Sequence, residues 1–243
     1  MQTSTVLAPL YPLLFVALWS TGFIGAKFGL PDAEPLTFLS LRYALVLVLM
    51  GLAAWLMRAP WPRTAREWLH IGVSGLLVHA VYLGGVFIAI GKGLPAGVTA
   101  LVVGLQPVLT AIWLSSTGSS VSSRQWLGLV LGFGGLVLVV SNKFGAGGPG
   151  DQATWANLFM AVVALVSITA GTLYQKRFVQ PCDVRSANAV QLLAALVVTL
   201  PLALLETEAM QWNGELIGAL AWSVLVLSVG GSSLLYMLIQ RGA

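Results

Sequence analysis

Charge is what this chain of 243 residues has least of. Only 8% of its residues are Asp, Glu, Lys or Arg, against about 25% in a soluble domain. So few charges cannot cover a water-facing surface, and a soluble globular fold is excluded. The net charge of +4 comes from basic residues scattered among loops, so it is no signal for nucleic acid. The single cysteine, Cys182, cannot form an intrachain disulfide. In the stretch VQPCDVR it reads as an incidental thiol rather than a nucleophile. His70 and His79 are the only histidines, and no Cys/His spacing suits a metal. No P-loop and no nucleophile elbow appear. GFGG at 132–135 lies inside an apolar run and is not a phosphate loop. No cofactor, metal or catalytic residue is therefore expected, nor an ATP-driven motor.

What the chain has in abundance is apolar length. Hydrophobic residues make up 58%, and the mean hydropathy is +0.90. A spanning helix needs about 20 mostly apolar residues. Eight stretches qualify, near 9–28, 36–55, 68–90, 95–114, 126–140, 155–174, 186–205 and 216–239. The connectors are short and leave no room for a soluble domain. The start lacks a basic n-region, so the first apolar run reads as a retained helix. Trp55, Trp68, Trp126 and Trp155 fall at helix ends and read as an interfacial belt. With the N-terminus in the cytoplasm, the inner loops hold Arg58, Arg63, Arg66, Arg124, Lys176, Arg177 and Arg185, with Arg241 after helix eight. The outer side keeps only Lys92 and Lys143 as loop cations. The acids Asp32, Glu34, Asp151, Glu206, Glu208 and Glu215 lean outward. This Lys/Arg bias sets the expected orientation.

The stretch from Phe15 to Arg42 joins an apolar helix, the Pro-bounded turn LPDAEP and a second helix. On a helical wheel Gly22, Gly25 and Gly29 share a face with Leu18, and Gly25-x-x-x-Gly29 allows close approach of another helix. Ser20 and Lys27 lie on the opposite face. Trp19, Gly22, Lys27, Pro35 and Arg42, in this order and spacing, resemble the opening of the EamA family of the drug/metabolite transporter superfamily. The resemblance continues more weakly over the whole chain. It implies ten helices and export of metabolites or amino-acid-like compounds, although uptake members exist. The small multidrug pumps of the superfamily depend on a carboxylate in helix one. Nothing in 13–28 matches it, and none of the eight stretches contains Asp or Glu. Carboxylate-based proton exchange is therefore in doubt.

Sliding the chain by 149 residues brings Arg42 onto Gln191, Ser74 onto Ser223, Phe87 onto Tyr236 and Lys92 onto Arg241. The hydropathy pattern repeats with them. A repeat of five helices must enter the membrane inverted the second time, a transporter signature. The expected domains are a first repeat over 1–143 and an incomplete second over 144–243. At this shift Ala243 stands opposite Leu94, so helices four and five lack counterparts. The expectation is a fragment of a ten-helix protein, with an apolar groove open beside helix eight.

Polar residues in hydrocarbon usually face an interior cavity. On that ground and by repeat symmetry, the candidates for a solute cavity are Trp19, Ser20, His79, Tyr82, Gln106, Ser167, Tyr174, Gln191 and Tyr236. Lys27 and Arg42 form a charged mouth in one reading. In the other they snorkel to the outer interface, beside Asp32 or Glu34. His79 is either a proton acceptor or a neutral histidine bonded to a neighbouring helix. Gln106-Pro107 marks a kink that either builds a site or only packs. Gly128-x-x-x-Gly132, with Gly134 and Gly135, reads as a scaffold or dimer contact.

The resulting expectation is an all-α polytopic protein of the inner membrane. It would move a small solute by alternating access, with the bilayer and the solute as partners and a homodimer left open. A membrane enzyme acting on lipid and a non-transporting scaffold are the alternatives.

Overall fold

The computed structural model of the chain describes residues 10–117, 121–145 and 154–240. The expectations placed on Asp151, Arg241, Gly242 and Ala243, and on the Lys143 side chain, fall outside them. Every regular element among the described residues is helical. The helices are α1 (Leu10–Gly29), α2 (Pro35–Leu56), α3 (Ala65–Gly91), α4 (Ala96–Ser116), α5 (Ser123–Gly145), α6 (Trp155–Phe178), α7 (Val184–Ala203) and α8 (Gly214–Gln240). All but α5 are long and apolar enough to cross a membrane, and the apolar part of α5 is Ser123–Val139. The chain is thus a polytopic all-α membrane protein, and the apolar runs found in the sequence locate its helices within a few residues.

Local chemistry sets the helix ends. Glu34 is extended and Pro35 opens α2, where its missing N–H and fixed φ suit the first turn. Thr64 and Glu67 form a reciprocal capping box at α3. Thr154, Asp183 and Asn213 accept backbone N–H groups at the starts of α6, α7 and α8. α4 is interrupted: Ala96–Val103 ends at Gly104, and the helix restarts at Gln106–Ser116 with Pro107 in its first turn. The kink expected at Gln106-Pro107 is present one step upstream, because proline can start a helix but not continue one.

The most extensive helix contacts in the fold are those of α3 with α6 and of α2 with α7, and α3 also packs on α7. Glycines make these approaches close. A Cβ on Gly75 would lie 2.5 Å from the Gln191 backbone, one on Gly85 2.9 Å from the Met160 carbonyl oxygen, and one on Gly171 2.7 Å from Val78. The glycine face of α1 is occupied as expected: Gly22 faces Leu227, Gly25 faces Ser223 and Trp222, and Gly29 faces Phe38. The glycines of α5 behave differently. A Cβ on Gly128, Gly132, Gly134 or Gly135 would meet nothing within 4 Å. That face packs against none of the described helices, so its reading as an internal scaffold contact is corrected.

The α1–α2 turn and the α7–α8 loop are tied together by carboxylates. Glu206 accepts from the Leu36 and Thr37 N–H groups at 2.9 and 2.7 Å and from the Thr37 hydroxyl at 2.7 Å. Glu34 accepts from the N–H groups of Thr207 and Glu208 at 2.9 and 2.6 Å. Each carboxylate thereby satisfies orphan amides, those under Glu206 at the N-terminus of α2. An apolar groove of about 400 Å³ runs between α1 and α8, lined by residues that include Ile24, Phe28, Gly218 and Trp222.

Candidate functional site

α3 and α8 are each 27 residues long, and each carries a π-helical segment at mid-length, Leu76–Val81 and Trp222–Ser232. π-segments re-aim side chains and frequently mark functional positions. Here they pack against the neighbouring helices and carry the buried polar residues His79, Ser223, Ser228 and Ser232.

On the α8 side lies a small cavity of about 30 Å³, bounded by Trp19, Gly22 and Phe23 of α1, Arg42 of α2, Tyr82, Leu83, Val86 and Phe87 of α3, and Leu227 and Ser232 of α8. Trp19 and Tyr82 stack with ring centroids 6.3 Å apart and planes at 6°. Arg42 is only 4% exposed, about two turns inside α2. Its Nε donates to Ser228 Oγ at 2.9 Å. Among the described residues no carboxylate lies within ion-pair distance of it; the ion pair found there is Arg185–Asp183. Glu34 is engaged with loop amides instead. A charged arginine at mid-helix costs about 2.5–3.5 kcal/mol on insertion scales, so its retention without a counter-ion points to use. Lys27 is exposed on the outer face of α1. The charged mouth therefore separates into an exposed lysine and a deeply buried arginine, since the wheel positions of α1 and α2 face different neighbours.

On the α3 side the polar groups are packed against one another. Gln191 Nε2 donates to Ser74 Oγ at 2.8 Å and to Gln175 Oε1 at 3.2 Å. His79 is buried, with Tyr43 OH donating to its carbonyl at 2.8 Å and Gln191 within reach of its ring. Ser167 Oγ donates to the Leu77 carbonyl at 2.8 Å, inside the π-segment, so α6 helps to satisfy its altered ladder. Gln106 Nε2 donates to Thr172 Oγ1 at 3.2 Å.

The expected single chamber is thus divided. Trp19 and Tyr82 line the cavity with Arg42. His79, Gln191, Ser167 and Gln106 sit in the polar layer among α3, α4, α6 and α7. Tyr174 and Tyr236 lie toward the other end of the bundle, where Tyr174 OH meets His70 Nδ1 at 2.7 Å and Tyr236 OH meets Cys182 Sγ at 2.8 Å. Ser20 is exposed and donates to the Ala17 carbonyl at 3.0 Å. Its hydroxyl returns to its own helix, and Ser20 is not among the residues bounding the small cavity. Sequence reasoning missed Ser228 and Ser232, two small hydroxyls in an apolar run whose only signal is their spacing of one turn on α8.

Basic and acidic groups collect at opposite ends. Arg63, Arg66, His70 and Arg177 line a cavity of about 450 Å³ between the α2–α3 and α6–α7 loops, with Glu67 turned to the Arg63 N–H at 2.6 Å. At the other end Asp32, Glu34, Lys92, Glu206 and Glu208 line one of about 550 Å³. Cys182 lies in the α6–α7 loop, where burial pushes its thiol up. No group of three or more His, Cys, Asp or Glu among the described residues is close enough to hold a metal.

A bundle of spanning helices enclosing buried polar groups and a cation defines a polytopic membrane protein with an internal polar site. The EamA-like transporter family model matches residues 6–141, and the chain belongs to that family. It is 27% identical over 223 residues to the "Uncharacterized inner membrane transporter YedA" of Escherichia coli K12, covering 91% of this chain and 70% of that protein. It is 30% identical to the "Uncharacterized transporter YvbV" of Bacillus subtilis, covering 88% and 70%. It is 24% identical to the "Probable amino-acid metabolite efflux pump" of E. coli K12, covering 78% of this chain and 60% of that one. A solved crystal structure shares the fold at a TM-score of 0.71 and 20% identity, over 98% of this chain and 80% of the other. Family membership points to transport rather than to chemistry on lipid.

Proposed function

We propose that this protein is a secondary transporter of the inner membrane that exports a small metabolite or amino-acid-like solute by alternating access. The observation that carries the reading is the cavity among α1, α2, α3 and α8, where Trp19, Tyr82 and Arg42 meet inside spanning helices of a transporter family. The relatives named as an inner membrane transporter and an amino-acid metabolite efflux pump support the location and the solute class. The inverted repeat, 1–143 against 144–243, is supported by the helix bounds. A shift of 149 residues carries Ala65–Gly91 onto Gly214–Gln240 and the start of α2 onto the start of α7. The cytoplasmic N-terminus is supported by the collection of Arg63, Arg66 and Arg177 at one end and of acids at the other. In this reading Trp19, Tyr82 and Arg42 touch the solute, and His79, Gln191, Ser167 and Gln106 hold the helices behind it.

The test is flux of a panel of amino acids and related metabolites from vesicles containing the purified protein. Flux of at least one compound, lowered about tenfold or more by Trp19→Ala with the fold intact, is the expected result. A folded protein that moves no member of the panel would defeat the transport reading. Labelling of a cysteine at position 63 from outside intact cells would overturn the orientation.

A further inference from the structure

We propose that the guanidinium of Arg42 is the receptor for a carboxylate on the solute, so that the cavity selects small monocarboxylates. This rests on the reading that the cavity lies on the solute's path. Arg42 is the one charged side chain lining it, and no carboxylate among the described residues neutralises it. Of the five N–H donors of a guanidinium, Nε–H is taken by Ser228. The remaining edge of the fork matches a planar carboxylate, which arginine binds through two parallel hydrogen bonds. Ser228 fixes the plane of the fork from behind, as a positioning residue.

Charge count decides between anions. A single cation neutralises a monocarboxylate. A phosphate dianion would leave an unpaired negative charge in an apolar enclosure, and the nearest lysine on α1, Lys27, is exposed on the far face. Phe87, Val86 and Leu227 offer apolar surface to the rest of the solute, with Tyr82 and Ser232 bringing the nearby hydroxyls. A cavity of about 30 Å³ holds about one water. The carboxylate therefore seats when α1 and α8 part at their contact around Gly22 and Gly25, where Leu227, Ser223 and Trp222 pack on α1 and Trp222 Nε1 donates to Thr21 Oγ1 at 3.0 Å. Buried Ser223 Oγ, which has no hydrogen-bond partner, lies at that same contact, 3.5 Å from where a Cβ of Gly25 would stand.

The position 149 residues on supports the assignment by contrast. Gln191 stands there, neutral and already bonded to Ser74 and Gln175. The bundle thus builds one closed polar node and one with a cation facing space.

The experiment uses the full chain purified in detergent, with the proteinogenic amino acids and their α-carboxamides as probes, read by thermal shift. In parallel, the same probes are followed as flux from vesicles. At least one acid is expected to raise the unfolding temperature of the wild type while its carboxamide does not. Arg42→Gln should weaken that acid by about ten- to a hundredfold, the loss expected for charge-assisted hydrogen bonds. Arg42→Lys should recover part of the affinity, because charge without the fork remains. Equal binding of acid and carboxamide, affinity kept within about twofold in Arg42→Gln, or no response to any acid would overturn the proposal. If acids and carboxamides move equally and Arg42→Gln leaves flux unchanged, transport stands and the carboxylate receptor falls. If an acid binds through Arg42 but nothing moves, the receptor stands and transport falls.

Discussion

α3 and α8 have the same length, a π-helical interruption each and the same serine at Ser74 and Ser223, yet they meet their central partners differently. α3 carries Gly75, and the α7 backbone at Gln191 comes against it so closely that a Cβ would lie 2.5 Å away. α8 carries Val224 at the corresponding place, and it packs less extensively on α2 than α3 does on α7. On the α3 side Ser74 accepts from Gln191 and donates to the Ile71 carbonyl. On the α8 side Ser223 Oγ is buried without a partner, and Arg42 reaches past it to Ser228. Gly75 thus marks a closely sealed contact between α3 and α7, whereas a small cavity remains beside Arg42 among α1, α2, α3 and α8. In the proposed alternating-access reading, the sealed seam holds the bundle while the other opens.

The comparison breaks most readily at Gly75. Gly75→Val gives α3 the residue that α8 carries, and backbone cannot move aside as a flexible side chain can. A loss of about 3 kcal/mol is expected, read as reduced folded yield and a lowered unfolding temperature. Gly128→Val, at a position that meets nothing, should change either by about 0.5 kcal/mol or less.

Next come the two polar nodes. Gln191→Leu strips Ser74 and Gln175 of a shared partner, and Gln175 Nε2 is already unpaired. A loss of about 1–3 kcal/mol follows from buried groups left unsatisfied. Arg42→Met removes a buried charge that has no counter-ion and should leave the unfolding temperature unchanged or raise it. Equal destabilisation by both substitutions would show that Arg42 is a structural group like Gln191.

The clasp between the loops gives a smaller effect. Glu206→Ala frees the Leu36 and Thr37 amides at the start of α2 and should cost about 0.5–2 kcal/mol, the range for a lost cap. Glu34→Ala, which loses two loop amides, should cost less.

The smallest effect belongs to the start of α7. The Arg185 side chain, hydrogen-bonded to Asp183, holds the Asp183 carboxyl below its ordinary value. A carboxyl depressed in the folded state contributes stability above its unfolded value. That contribution is lost as the pH falls through the folded value. Asp183→Asn should therefore lower the unfolding temperature slightly at neutral pH and have no effect once the pH is below both values. A substitution effect that persists undiminished in acid would assign the role of Asp183 to its N-cap hydrogen bond alone.

How much of this was legible in the sequence follows from the range of each interaction. Eight apolar runs, Pro35 and Pro107 declared the helices and their ends, because spanning length and helix breaking depend on a few adjacent residues. The partner of Arg42 was not legible. A wheel gives the face of a residue on its own helix, but whether that face meets lipid, water or Ser228 depends on a helix 186 residues away. Ser20 and Lys27 are exposed for the same reason: their face of α1 turns outward. His79 and Gln191 were recognised as interior polar groups, but only packing showed Gln191 bonded to Ser74 and Gln175 and the His79 carbonyl bonded to Tyr43.

Composition alone determined that the chain lives in a membrane as helices, because 8% charge permits no other surface and hydrocarbon permits no unpaired backbone. The 149-residue correspondence set which helices resemble each other. Tertiary structure decided which member of each pair is sealed and which is hollow. Gly75 lets the α7 backbone close against α3, while side chains from four helices bound the cavity beside Arg42, and neither fact acquires meaning until those helices are laid against one another.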